Sequence, residues 1–215
     1  MSDPAHRADR APDDVVGRQL QAGDHLCAFY RQPAERDLIL VPFLAGGLAE
    51  GSRCTCVVDS CSPAEVLGAL TEYVDVERHL DEGRLEVLDS DETYFARGGF
   101  LPEEMLSFWE ARATAAAGTG VVRNIGDMSW AHRDRPGVDR LALYESALNR
   151  VMGARPQVNV CLYDLSRCSG QLVVDVLKTH PKAMLGAMVI DNPYYIHPDE
   201  FLAQRRPDAD SPAPA

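Results

Sequence analysis

His25 and Cys27 stand two residues apart in DHLCAFY, a segment whose alternation of His25, Cys27 and Phe29 reads as a strand with these three on one face. An imidazole and a thiol in that relation address one space, the chemistry of a pocket wall or of half a metal site. Cys54 and Cys56 repeat the spacing in RCTCVVD, and four nitrogen and sulfur groups would converge if the two strands were neighbours. No CxxC or HxxxH pair accompanies them, so the expectation is a pocket, without metal or cofactor, in which Cys27 is a protonated thiol. Tyr30 extends the same wall. Trp130 and Tyr163 offer aromatic surface, Arg123 or Arg167 a cation for an anionic ligand, and Asp164 a hydrogen-bond acceptor.

Several other chemistries are excluded by what is missing. Nucleotide hydrolysis on an α/β sheet needs a glycine-rich loop ending in Gly-Lys-Ser/Thr after the first strand, because amides and a lysine must cradle the phosphates. Here that loop reads YRQPAERD, and Gly-Lys occurs nowhere. Asp164 stands where a Walker-B carboxylate would, without a phosphate-bound ion to hold. GxGxxG and GxSxG are absent too, which removes the dinucleotide fingerprint and the nucleophile elbow. The chain is read as a non-enzyme.

The elements that must position these residues alternate. Strands are expected over 24–30, 53–59, 84–88, 120–125 and 158–163, and helices over 33–50, 102–117, 138–152 and 171–179. Pro42 should kink the first helix and Gly51 end it. Ser62-Pro63-Ala64-Glu65 carries a cap, an N1 proline and a capping-box glutamate, a strong helix start. Residues 183–190 add one or two edge strands. Apolar strands alternating with helices give an α/β class with a mostly parallel sheet covered on both faces. In such sheets ligands bind outside the carboxyl ends of the strands, where Tyr30, Asp59, Ser60, Asp164 and Arg167 fall.

A chain of 215 residues, 46% hydrophobic, suits one domain, expected over 15–204, between disordered tails at 1–14 and 205–215. Its formal charge of -12 opposes direct contact with a nucleic-acid backbone or an anionic membrane. No signal-like opening or bilayer-length apolar run is present, so a cytoplasmic setting with six reduced cysteines is expected.

GDHLCAFY, PFLAGGLAEGSRC, TYFARGGF, GDMSW, LYESALN, CLYDLSR, KTHP and DNPYY occur in this order between Gly23 and Tyr195. Together they resemble the MEDS family, the sensory domain of methanogen and methylotroph regulators, with a match reaching about Phe201. The resemblance implies a RecA-like, P-loop-derived sheet that has lost its phosphate loop. It also implies a sensor of a small organic, hydrocarbon-derived ligand that acts on a histidine kinase, anti-sigma factor or transcription factor. Asp127 and Leu165 depart from the family's usual Glu and Arg. Neither a helix-turn-helix nor a kinase module fits in the tails, so output is expected to pass through a separate regulatory protein.

Overall fold

All five residues of Cys54–Val58 and all six of Val122–Asp127 are buried, as parallel strands covered by helices on both faces require. The computed structural model describes residues 19–116, 120–185 and 188–204; both expected tails lie outside these residues. Seven strands form one sheet: β1 (His25–Tyr30), β2 (Cys54–Val58), β3 (Leu85–Asp89), β4 (Val122–Asp127), β5 (Gln157–Asp164), β6 (Lys182–Leu185) and β7 (Met188–Asp191). Their order is β3-β2-β4-β5-β1-β6-β7. All neighbours are parallel except β6 and β7, which are antiparallel. The edge expected over 183–190 is thus two strands.

The pleat of β1 divides the core. Leu26, Ala28 and Tyr30 pack on one face with α1 (Pro33–Ala49) and α2 (Pro63–Leu70). Cys27 belongs to the other, with α5 (Pro102–Ala115), α6 (Leu141–Met152) and α7 (Gly170–Thr179). Helix α1 runs through Pro42 to Ala49, and Gly51 follows in the left-handed conformation, φ 83°. The capping box at the start of α2 forms as read, with Ser62 and Glu65 bonding each other's backbone amides.

Three short helices escape the sequence periodicity: α3 (Val76–Asp81), α4 (Ser90–Thr93) and α8 (Pro198–Gln204). The helix expected over 138–152 is a 3₁₀ turn, Val138–Arg140, followed by α6. Gly137 sets up that turn with φ 85°, and a Cβ there would lie 2.0 Å from the Phe100 carbonyl oxygen.

The sheet order corrects one expectation. Two strands, β4 and β5, separate β1 from β2, and Cys54 and Cys56 face α1 whereas His25 and Cys27 face the opposite side. The four groups therefore do not converge. Among the described residues no helix is long and apolar enough to cross a membrane.

Removing the Ser62 hydroxyl with Ser62→Ala is expected to cost about 1 kcal/mol. Gly137→Ala, which combines a left-handed backbone with a clash against backbone, should cost about 3 kcal/mol or more. Urea unfolding of the two variants measures both.

Candidate functional site

The sequence-derived residues occupy four places. Tyr30, Asp164 and Arg167 lie at the carboxyl edge of the sheet, where Tyr30 and Asp164 are register partners on β1 and β5. His25 and Tyr163 are buried beneath α6, and Cys27, buried on the same face, meets the Lys182 carbonyl at 3.6 Å. Trp130 packs in an aromatic cluster with Tyr94, Phe95 and Phe100, at centroid distances of 4.8, 5.3 and 4.7 Å. Arg123 lies near the amino end of β4, at the far edge. It donates to the Phe43 carbonyl (3.0 Å) and the Glu50 carboxylate (2.5 Å) beside a cleft of about 470 Å³. That cleft is roomy, but its cation is engaged in fastening α1 to the sheet.

His25 and Tyr30 cannot share a wall. They stand five positions apart, an odd interval, so they point to opposite faces of β1. Tyr30 enters a network around Asp127, a residue read only as a departure from a family pattern. Asp127 Oδ1 accepts from Tyr30 (3.3 Å) and from the amide and hydroxyl of Ser129 (3.1 and 2.6 Å). Its Oδ2 accepts from the amides of Asp59 and Ser60 (3.3 and 2.7 Å) and from the Ser60 hydroxyl (2.5 Å). Six donors saturate the carboxylate, leaving no lone pair to act as a base. Burial and this neighbouring charge push the Tyr30 hydroxyl up to about 12. Arg36 closes the network from α1, donating to Ser60 at 2.7 Å.

The start of α1 lies where a phosphate would sit in a nucleotide-binding sheet. There the Arg31 amide donates to Glu35 Oε2 at 2.7 Å, and Pro33 removes another donor. The helix's own acid thus occupies the anion position.

A crevice runs between the turn after β4 and the turn after β5, lined by Met128, Ser129, Ala131, His132, Asp164, Arg167, Cys168 and Leu172. It is closed, with no space for a water molecule. Arg167, 3.6 Å from Asp164 of its own turn, reaches across it to His132 Nε2 at 3.4 Å. Asp164 otherwise holds its own turn, accepting from the Ser166 amide and hydroxyl.

The second polar centre was only half visible in the sequence. His25 Nε2 lies 3.2 Å from Glu145 Oε2 and 3.4 Å from Cys161 Sγ, and His180 Nε2 lies 3.5 Å from the same carboxylate oxygen. All four are buried, and these ligand-type atoms lie within 4.8 Å of one another. Tyr163 donates to Glu145 Oε1 at 2.7 Å, a structural task in place of the expected ligand contact. Burial pushes the Glu145 carboxyl up, but His180, His25 and Tyr163 outweigh it and hold the group below the ordinary carboxylate range. Burial and the adjacent His25 drive His180 down to about 3, and burial beside Glu145 raises the Cys161 thiol. A signal for Glu145 existed: it falls on the α6 stripe of Leu141, Tyr144, Leu148 and Met152, a carboxylate among core positions.

The family profile described as MEDS, the methanogen/methylotroph, DcmR sensory domain, matches residues 24–181. The transcriptional repressor DcmR of Methylorubrum extorquens is 30% identical over 196 residues, which cover 82% of this chain and 68% of that protein. The structure is similar to that of the flagellar accessory protein FlaH of Methanocaldococcus jannaschii, with TM-score 0.56, 12% identity and coverage of 82% and 78%. A KaiC-like protein of Pyrococcus horikoshii gives 0.57, 11%, 81% and 79%. Likeness at these identities concerns the fold, which is the expected RecA-like one.

Asp127→Ala strands buried hydroxyls and amides and should cost about 3 kcal/mol or more, whereas Arg167→Ala, at an exposed ion pair, should cost under about 0.5 kcal/mol. Denaturant titration of both variants checks the contrast.

Proposed function

Because the chain belongs to the MEDS family of sensory domains, and its role is accordingly regulatory, we propose that it is a non-enzymatic cytoplasmic sensor of a small organic ligand. The ligand enters the crevice between the turns after β4 and β5, and its binding is passed to a separate regulator such as a histidine kinase, an anti-sigma factor or a transcription factor.

The observation that carries this reading is how weakly the crevice is shut. The polar contact that joins the two turns is that of the half-exposed Arg167 with His132 Nε2 at 3.4 Å, while the Arg167–Asp164 pair, 3.6 Å, lies within the turn after β5. A side-chain contact of this exposure contributes about 0–1 kcal/mol, so a ligand can part the turns at little cost. The opened crevice would offer an apolar floor from Met128, Ala131 and Leu172 and a cationic rim from Arg167. That combination suits a small molecule with a hydrocarbon body and one polar or anionic group. The rest of the edge supports a non-enzymatic role, since Asp127 is saturated and Glu35 occupies the anion position at α1.

A second reading, a ligand-free interaction scaffold, draws on a different surface. An open groove of about 430 Å³ between α1 and α2 carries Leu38, which is 75% exposed.

The purified chain, offered a panel of one- to three-carbon alcohols, amines, carboxylates and halides, should rise in Tm with at least one of them. Arg167→Ala should weaken that ligand at least tenfold and Arg123→Ala should not, measured as the concentration giving the half-maximal shift. No shift across the panel, with a ligand-free mass for protein taken from cell extract, overturns the ligand reading in favour of the scaffold. Nucleotide hydrolysis abolished by Asp164→Asn would overturn the non-enzymatic one.

A further inference from the structure

Hydrogen bonds to the outer nitrogens fix how the two buried histidines present themselves. The Asn149 amide nitrogen donates to the carbonyls of Glu145, Ser146 and Thr179 at 3.1, 3.2 and 2.8 Å, which turns its Oδ1 toward His25 Nδ1, 3.1 Å away. An oxygen there can only accept, so His25 carries its proton on Nδ1. His180 Nδ1 lies 2.8 Å from the Val176 carbonyl and is likewise the protonated nitrogen. Neutral imidazoles so held direct their Nε2 lone pairs inward, the way metal-ligating histidines are oriented by backbone and amide partners.

These lone pairs meet a carboxylate. His25 Nε2 faces Glu145 Oε2 at 3.2 Å, acceptor against acceptor unless a positive centre lies between them. A proton on His25 Nε2 would satisfy that contact alone. It would leave His180 Nε2, buried and without a hydrogen-bond donor, 3.5 Å from the same oxygen. One cation among the groups answers both.

We propose that His25 Nε2, His180 Nε2, Cys161 Sγ and Glu145 Oε2 together bind one divalent first-row transition ion of the zinc class. The spacing fits without rearrangement of the sheet. Tetrahedral bonds of about 2.0–2.1 Å to nitrogen or oxygen and about 2.3 Å to sulfur place ligand atoms about 3.3–3.6 Å apart. Four of the six edges already measure 3.2, 3.4, 3.5 and 3.7 Å, and the other two fall within 4.8 Å. Two imidazoles, a thiolate and a carboxylate select a borderline ion over magnesium or calcium. Charge also balances: the ion's two positive charges meet one negative charge from Glu145 and one from Cys161 once its thiol proton leaves to solvent. With four protein ligands the site is closed, a structural rather than a catalytic one. It would tie β1, β5, α6 and the turn after α7 together.

Cobalt(II) tests this on the full chain, stripped with a chelator and kept reduced with a phosphine, both as the native protein and refolded from denaturant. The expected result is one cobalt per chain, with the intense visible bands of a tetrahedral site and a sulfur-to-cobalt band in the near ultraviolet, both bleached by one equivalent of zinc. Zinc, but not magnesium, should raise the Tm. Cys161→Ser should lose the sulfur band and His180→Gln should weaken cobalt at least tenfold, while Cys61→Ser keeps the wild-type spectrum. Circular dichroism establishes that each variant is folded. Wild-type protein that is folded yet takes up no cobalt by either route overturns the proposal whatever the variants do. So do bands that persist unchanged in folded Cys161→Ser and His180→Gln.

Discussion

Keeping a carboxylate ionised inside an apolar layer costs several kcal/mol unless its oxygens are fully paired, and Glu145 sets that condition for the whole of one face. Tyr163 and Cys161 on β5, His25 on β1 and His180 after α7 all turn toward it. Asn149, one helical turn along, fixes the first of these histidines and is itself held by three carbonyls. The arrangement dictates which strands must be neighbours and how deep α6 must lie. A helix rotated by one residue would point the acid into hydrocarbon and a leucine at two imidazoles.

The other face meets the same demand differently. Asp127 is also fully buried, but its six donors are hydroxyls and amides, groups that keep their protons at any physiological pH. Glu145 is surrounded by groups that exchange protons or bind metal ions. One acid therefore serves rigidity at the carboxyl edge, holding the turns after β2 and β4 together. The other stands in a centre whose charge state can change. The sheet separates them, so the chemistry of one face does not short-circuit through the other.

Much of the architecture was legible because it is local. Alternating apolar strands and helices, the Ser62 capping box and the polar carboxyl-edge turns each follow from a few consecutive residues. The short helix α3 was not: six residues opened by an Asp75 cap give too little periodicity to read. Site assembly was harder still, because it depends on strand order. His25 and Cys54 look alike in sequence as the first members of i, i+2 pairs, yet β4 and β5 stand between their strands. His25 instead meets Cys161, from the strand beside it, and His180, which is 155 residues away and enters through the turn before β6. Arg123 and Trp130 show the reverse relation between residue type and place. Each has a side chain suited to ligands, and each is used for packing, the first across Gly47 of α1, where a Cβ would lie 2.5 Å from its Cδ.

β1 touches both polar centres, His25 at its first residue and Tyr30 at its last, on opposite faces. The strand acts as a ruler with a parity. Adding or removing one residue between them would put both side chains on the same face, leaving either Glu145 or Asp127 without its partner, and two residues would restore the faces but overshoot a network by a full repeat of the pleat. The interval from 25 to 30 thus admits a single length, whatever residues fill it.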